Sequence, residues 1–325
     1  MALHGGIDLG GTKIQAAIVD DDHSVLGSAR RPTPTSGGPA EVVKEMEVAL
    51  RDAAKAAEVE PAALAGVGVG SPGVIGEDGS VSGAGNLPGW EGTFAVGTTL
   101  AGALGCVVRV DNDVQVATDA EFKLGAGRMY SSLLGVFWGT GVGAGVILDG
   151  KAWTGRGAAG EIGHMVVKMG GARCTCGRIG CMEAYAGRGA MEKHARKLMQ
   201  EGRKTDLFKL MEERDRTRLT SGIWTRALEH GDEMAIEIID RAVRALGAGI
   251  ASACNLLDVE GVIIGGGLGI RLGHPYAKRI ADEMLPHLFA DWRPPHVHVA
   301  ALGDLGGAIG AALLLERDRE PATSS

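Results

Sequence analysis

The sequence predicts an α/β protein built from two related halves. Three observations carry that reading. Strand-like apolar runs alternate with segments of helical periodicity, one strand–glycine turn–strand unit occurs twice, and glycine is frequent inside apolar runs. The chain has 325 residues, 53 of them glycine, more than twice the usual share of about 7%. These glycines are aperiodic, so they mark tight turns and places where backbone approaches a ligand closely, not a low-complexity segment. A chain of this length suggests about two domains.

The elements follow in order. "GGIDLGGTKIQAAIVDDD" (5–22) reads as a strand, a glycine turn and a second strand. From Pro39, Val42, Val43, Met46, Ala49, Leu50 and Ala53 fall at helical spacing. "AGVGVGSPGVI" (65–75) is a buried strand entering a loop, "CVVRVDND" (106–113) is a strand with a polar end, and a helix is expected at about 113–123. "SLLGVFWGTGVGAGVILDG" (132–150) repeats the opening device. Residues 188–258 are mostly helical, with Ile236, Ile239, Val243, Leu246, Ile250, Cys254 and Leu257 on one stripe. "GVIIGGG" (261–267) is a buried strand ending in glycines, "GGAIGAALLLERDRE" (306–320) is a helix, and "PATSS" (321–325) is expected to fray. Strands alternating with helices make the class α/β.

The net charge of −7 argues against a nucleic-acid binder, which needs a basic surface. No basic n-region or long apolar h-region opens the chain, and no run approaches the roughly 20 apolar residues of a membrane span. Five cysteines, three of them clustered, fit reduced thiols better than a disulfide framework. The expectation is a cytoplasmic protein with no nucleic-acid or membrane partner.

Cys174, Cys176 and Cys181 form C-x-C-x4-C. With His164 they supply the Cys3His set of a closed structural zinc site, and Gly177 and Gly180 let a short loop wrap one ion. The plainer alternative is a turn of ordinary buried cysteines. A redox pair would show C-x-x-C, which is absent. Glu161 and Glu183 bracket the cluster and would be held beside His164 by the metal.

"DLGGTK" (8–13) and "GTGVGAG" (139–145) are glycine turns with a threonine. Exposed N–H groups beside a hydroxyl make a phosphate cradle, although a hairpin turn explains either one alone. Competing motifs lack their context. "GVILDGKA" (145–152) has alanine where a P-loop needs Ser or Thr, and "GVGSPG" (68–73) runs through Pro72 into a loop instead of a helix. "GGGLG" (265–269) fits a surface against adenine or ribose, and equally a strand-to-helix turn. Asn112 and Asp113 lie just past an apolar strand, where α/β sheets bind ligands; a helix N-cap is the competing reading. Asn86, in "GNLPGW" (85–90), either meets a hydroxyl or closes a turn.

Together "GIDLGGTK", "GVGVGSPG", "GNLPGW", "DND", "GTGVGAGV", "AGEIGH" and "CTCGRIGCMEAY" resemble the ROK family of bacterial sugar kinases and repressors, from about Gly6 to about Leu315. The resemblance implies a two-domain actin-like ATPase (ribonuclease H-like) fold with an interdomain cleft and a structural zinc loop. Residues 1–113 with 306–325 would form a small domain holding the first phosphate turn and part of the sugar site. Residues 114–305 would form a large domain holding the second turn, the zinc loop and the adenosine site.

It further implies ATP-dependent phosphorylation of a hexose at its 6-hydroxyl, glucose foremost. The same-family alternatives are N-acetylhexosamine or mannose/fructose, and the other class is a non-catalytic sugar sensor. By the same resemblance Asp8 lies near Mg²⁺, and Gly10, Gly11, Thr12 and Lys13 contact phosphates. Gly139, Thr140, Gly141 and Gly143 grip the nucleotide, as do Gly266 and Gly267. Asn86, Asn112, Asp113, Glu161, His164 and Glu183 bind sugar, with Asp113 as general base. His164, Cys174, Cys176 and Cys181 hold Zn²⁺, His164 serving metal and sugar with one nitrogen each. A homodimer or homotetramer is expected. Similar repressors carry a helix-turn-helix ahead of the kinase-like part, for which the position of Asp8 leaves no room. Val114 and Gln115 stand where many relatives carry Ala-Asn, a departure that bears on sugar preference.

Overall fold

The computed structural model describes residues 2–85, 87 and 89–316. Asn86, the end of the expected helix beyond 316 and the expected frayed segment 321–325 lie outside the described residues. The chain divides into two compact units. One runs up to Arg128, takes in Ala152–Ala159 and resumes at Ala301; the other comprises Met129–Lys151 and Gly160–Ala300.

In the first unit, β1 (His4–Leu9), β2 (Lys13–Val19) and β3 (Val25–Pro32) are followed by α1 (Gly38–Ala56) and β4 (Gly66–Ser71). Three two-residue strands, β5 (Val74–Ile75), β6 (Val81–Ser82) and β7 (Thr93–Phe94), make a small antiparallel sheet. Then come α2 (Val96–Leu104), β8 (Val108–Asn112) and α3 (Asp113–Lys123). The main sheet has the order β3-β2-β1-β4-β8, antiparallel across β3-β2-β1 and parallel from β1 to β8. Ile7, Leu9, Ile14, Ile18, Val67 and Val69 meet Val42, Val43, Met46 and Leu50 of α1 in its core. The helical spacing read from the sequence is thus the buried face of α1.

Glu121 of α3 is buried, and its carboxylate accepts from the N–H groups of Ala126 (2.9 Å), Ala301 (3.0 Å) and Leu302 (2.8 Å). It fastens to one helix the two stretches of chain that border residues 129 and 300.

The second unit contains β9 (Leu133–Trp138), β10 (Val142–Leu148), α4 (Glu183–Ala186), α5 (Arg188–Gln200), α6 (Leu207–Glu213), α7 (Ser221–Glu229), α8 (Glu233–Leu257), β12 (Gly261–Gly265), α9 (Gly266–Met284) and β13 (His296–Val299), while β11 (Lys151–Ala152) straddles the boundary. Its sheet order, β11-β10-β9-β12-β13, repeats the plan of the first: β9 and β10 are antiparallel, and β9, β12 and β13 are parallel. Asp232 caps α8 by accepting from Ala235 N at 2.8 Å. Of the expected stripe, Ile239, Val243, Leu246, Ile250 and Cys254 are buried, Leu257 is partly buried and Ile236 is 39% exposed. At the start of the helix Met234, Ala235 and Ile238 take the inward face instead. Helix α9 is broken at Gly273, whose φ of 66° suits glycine alone, and Pro275 follows.

The chain then returns to the first unit with α10 (Gly306–Ala312). A Cβ on Gly6 would lie 1.8 Å from Ala308 O, and one on Gly68 1.7 Å from Ala311 O. Glycine in β1 and β4 therefore lets a helix backbone approach the sheet, where the composition had suggested a ligand. No helix among the described residues is long and apolar enough to cross a membrane.

Candidate active site

The functional side chains of the first unit gather at the carboxyl ends of its parallel strands. After β1 the chain reverses tightly, Gly10 N donating to Lys13 O at 2.9 Å, with Gly11 and Thr12 exposed at the tip. Thr33 Oγ1 steadies the turn from Gly10 O at 2.6 Å. Lys13 Nζ donates to Gln15 and stands 3.5 Å from Asp304 Oδ1. Asp8 is half-buried near the end of β1, where a Cβ on Gly307 would come within 2.7 Å of its Cγ. Burial raises the Asp8 carboxyl from 3.8 to about 6, against the pull of Lys13 and with a smaller push from Asp304.

At the end of β8, Asn112 Oδ1 accepts from Val114 N (3.1 Å) and Gln115 N (3.2 Å). Asn112 is thus the N-cap of α3, the plainer of its two readings, and its Nδ2 lies 3.4 Å from Gly73 O. Asp113 is the first residue of the helix and half-buried, with Oδ1 accepting from Val114 N at 2.9 Å. A Cβ on Gly70, the neighbouring position on β4, would sit 3.3 Å from Asp113 Cα. The sheet thereby brings the helix start against the end of β4.

In the second unit the glycine turn between β9 and β10 is bound to its surroundings at several points. Gly139 N donates to Gly141 O at 3.0 Å, and Arg188 N and Gly189 N donate to Gly139 O and Thr140 O. Arg188 Nη2 lies 2.9 Å from Thr140 Oγ1. Val142 N donates to Glu183 Oε2 at 3.0 Å. Gly143 lies within β10, opposite Phe137. At the start of α9, a Cβ on Gly266 would lie 2.6 Å from Trp138 O, and one on Gly267 3.4 Å from Ser221 Oγ.

Glu183 ties this turn to the cysteine loop. Its Oε1 accepts from Thr175 Oγ1 at 3.4 Å and lies 3.8 Å from Cys174 Sγ. One donor atom each from His164, Cys174, Cys176 and Cys181 lies within 4.8 Å of all the others. His164 Nδ1 faces Cys174 Sγ at 3.9 Å, while Nε2 faces Glu161 Oε2 at 3.6 Å. One ring nitrogen therefore belongs to the sulfur cluster and the other to the carboxylate. The Arg178 N–H draws Cys176 down to about 7, and burial pushes Cys181 up to about 12. Three sulfurs and an imidazole in so small a space are the donor set of a tetrahedral zinc site.

The sequence did not point to Arg188, Ser221, Thr175 or Asp304. None lies in a recognisable spacing; Asp304 shows only as an acid ahead of the paired glycines 306 and 307.

A glycine turn at each of two matching hairpins, a carboxylate at a parallel strand end and a Cys3His loop beside two glutamates point to one family, whose profile, described as ROK family, matches residues 4–318. The chain belongs to the ROK family. This ROK chain is 31% identical over 319 residues to the glucokinase of Thermotoga maritima, covering 96% of each. It is 30% identical over 330 residues to the N-acetyl-D-glucosamine kinase of Citrobacter koseri, covering 96% of this chain and 99% of that one. The ROK family glucokinase from Streptomyces griseus, solved in complex with glucose and AMPPNP, matches its fold with a TM-score of 0.82 at 30% identity, over 96% of this chain and 99% of that one. The fold of this ROK protein is accordingly the actin-like ATPase fold of those kinases.

Proposed function

We propose that this ROK-family sugar kinase transfers the terminal phosphoryl group of ATP to the 6-hydroxyl of a hexose, glucose foremost. The observation that carries the reading is Asp113: a half-buried carboxylate at the carboxyl end of a parallel strand, on the first turn of a helix, where α/β sheets bind substrates. Phosphoryl transfer asks for positioning, charge stabilisation and a base for the hydroxyl proton. Asp113 takes that proton. Asn112 orients the sugar with its amide, its oxygen being committed to the helix cap. Glu161 and His164 Nε2, 3.6 Å apart, present an acceptor and a second polar group to sugar hydroxyls. The turns at Gly10–Lys13 and Gly139–Gly141 supply backbone donors to phosphates, and Gly266 and Gly267 lie along the nucleotide.

Asp8, half-buried and with Lys13 as the cation acting on it, fits a magnesium ligand; bound there, the ion would offset phosphate charge. His164, Cys174, Cys176 and Cys181 would hold a zinc ion whose part is to fix the loop carrying Glu183. We take the protein to act in the cytoplasm, as a homodimer or homotetramer. The likeness to both glucokinase and N-acetylglucosamine kinase keeps an N-acetylhexosamine as the second reading of the substrate.

The test is ADP formation with ATP and Mg²⁺ across glucose, mannose, fructose, N-acetylglucosamine and N-acetylmannosamine, with Asp113→Asn in parallel. Glucose should give the highest kcat/KM, and the variant should keep sugar binding while losing at least about 100-fold in kcat. A higher value for an N-acetylhexosamine would move the substrate. Sugar binding with no turnover on any of the five would favour the sensor.

A further inference from the structure

The role given to Asp113 leaves a buried acid of the same helix without a part. Glu121 follows Asp113 on α3 by just over two turns, about 12 Å along the axis, and is buried. Its Oε2 accepts from Ala126 N (2.9 Å) and Ala301 N (3.0 Å), and its Oε1 from Leu302 N (2.8 Å). Gly125 lets the chain close over the carboxylate, since a Cβ there would collide with Glu121 Oε2. A buried carboxylate is a poor device for stability alone, because its hydrogen bonds must first offset lost hydration. What it fastens is therefore the informative point.

The stretch held by Glu121 leads straight to the first phosphate turn. Two residues past Leu302, Asp304 Oδ1 stands 3.5 Å from Lys13 Nζ. Three residues further, Gly307 packs on Asp8, where a Cβ would come within 2.7 Å of Cγ. A Cβ on Gly310 of α10 would clash with Val116 O, so the backbone of α10 lies directly on α3. The chain from 301 to 310 is thus pinned at Glu121, beside Lys13 and Asp8, and again on α3. Every one of these residues belongs to the first unit. Helix and segment make a closed, packed ring, with Asp113 on one side and Lys13 with Asp8 on the other.

We propose that Glu121 is a positioning residue that couples sugar binding at Asp113 to nucleotide binding at Lys13 and Asp8. The places of the two ligands are those of the proposed function, on which this coupling rests. Close-packed elements shift as bodies, so an adjustment of α3 on binding sugar is carried by the Glu121 clasp to Asp304 and from there to the phosphate turn. Glu121→Gln preserves the shape of the side chain and breaks the clasp. Its amide sets an NH2 against the N–H groups of Ala126 and Ala301, or, turned over, against that of Leu302. Neither ligand site is touched directly.

The test is calorimetric titration of the full chain with AMPPNP and Mg²⁺, with and without saturating glucose, and with glucose alone; N-acetylglucosamine takes the place of glucose if it binds more tightly. In the parent the sugar should tighten AMPPNP at least about fivefold, the lower end of ordinary coupling between sites. In Glu121→Gln that factor should fall below about twofold, while the Kd of each ligand alone changes by less than about threefold. Asp304→Asn, on a side chain 73% exposed, opens the same connection at its other end. It should lower the factor likewise, and it decides the matter if the buried variant fails to fold. The double variant should lose no more than either single one, because both interrupt one link. A factor retained in either folded variant, a factor lost only together with affinity for sugar alone, or a parent without coupling would overturn the proposal. Turnover measured alongside separates it from the kinase reading. Coupling that depends on Glu121 in a protein without turnover would remove the kinase and leave the coupling; turnover with coupling intact in Glu121→Gln would do the reverse.

Discussion

Asp8 and Asp113 are both carboxylates at strand ends, and their surroundings give them different work. Asp113 is half-buried on a helix start, the place of the base in the proposed function. Asp8 is half-buried as well, but desolvation raises its carboxyl from 3.8 to about 6. A raised carboxyl favours the folded state while protonated; that contribution is complete below pH 3.8 and is lost as the pH climbs through about 6. Asp8→Asn should therefore make the metal-free protein more stable than the parent at pH 8, by up to about 3 kcal/mol. At pH 4 the advantage should vanish, and turnover should be abolished. Urea midpoints of both proteins at the two pH values check this, and a pH-independent difference would refute the burial account. Asp8 and Asp113 were legible because each stands in a local motif. Arg188 and Asp304 were not: they reach their partners Thr140 and Lys13 through folding alone, and no spacing within the chain announces such a meeting.

Among the elements, the cysteine loop is the one whose purpose the structure sharpens. Glu183 leaves that loop and accepts from Val142 N, so the loop steadies the glycine turn as well as Glu161 and His164. Cys176→Ser should lower the zinc content of the purified protein and weaken sugar binding by about 10- to 100-fold, the range for a disturbed metal environment. KM for ATP should rise with it. Metal analysis and separate titrations of sugar and nucleotide distinguish this from a general loss of fold, and normal sugar affinity in zinc-free protein would refute the link. Element types were legible from periodicity, as in α1, but not all their faces. Ile236 is exposed because Met234, Ala235 and Ile238 already fill the inward side of the first turn of α8. The use of glycine in the strands was hidden too, since sequence cannot say whether helix or ligand comes close. Gly68→Ala should cost at least about 3 kcal/mol, or prevent folding, as overpacking against backbone that cannot yield. Thermal melting tests it; a shift of under about 2 °C would mean that α10 moves aside freely.

At the scale of the molecule, one sheet order is used twice, and the two glycine hairpins read from the sequence are the central pairs of those sheets. That duplication was visible because the hairpin is local. The division of the chain into units was less so, because the first unit reclaims Ala152–Ala159 and everything from Ala301, and composition does not change at those points. A chain ended at Ala301 should lose the cooperative unfolding of the first unit while the second still melts as a unit. Hydrogen exchange would read this as early loss of protection in β1 and β4; full protection there would show that α10 is dispensable.

The place of α10 also has a bearing on how the protein is made. Gly6 and Gly68 wait for Ala308 and Ala311, and the first and third of these residues are roughly 300 positions apart, a contact of very high sequence separation. A ribosome delivers β1 and β4 long before the helix that covers them. Their bare face must be shielded by a chaperone, or by haste, until synthesis has passed through the whole of the second unit. The half of the protein that is begun first is therefore finished after the other, and a stalled ribosome would leave one face of its sheet uncovered.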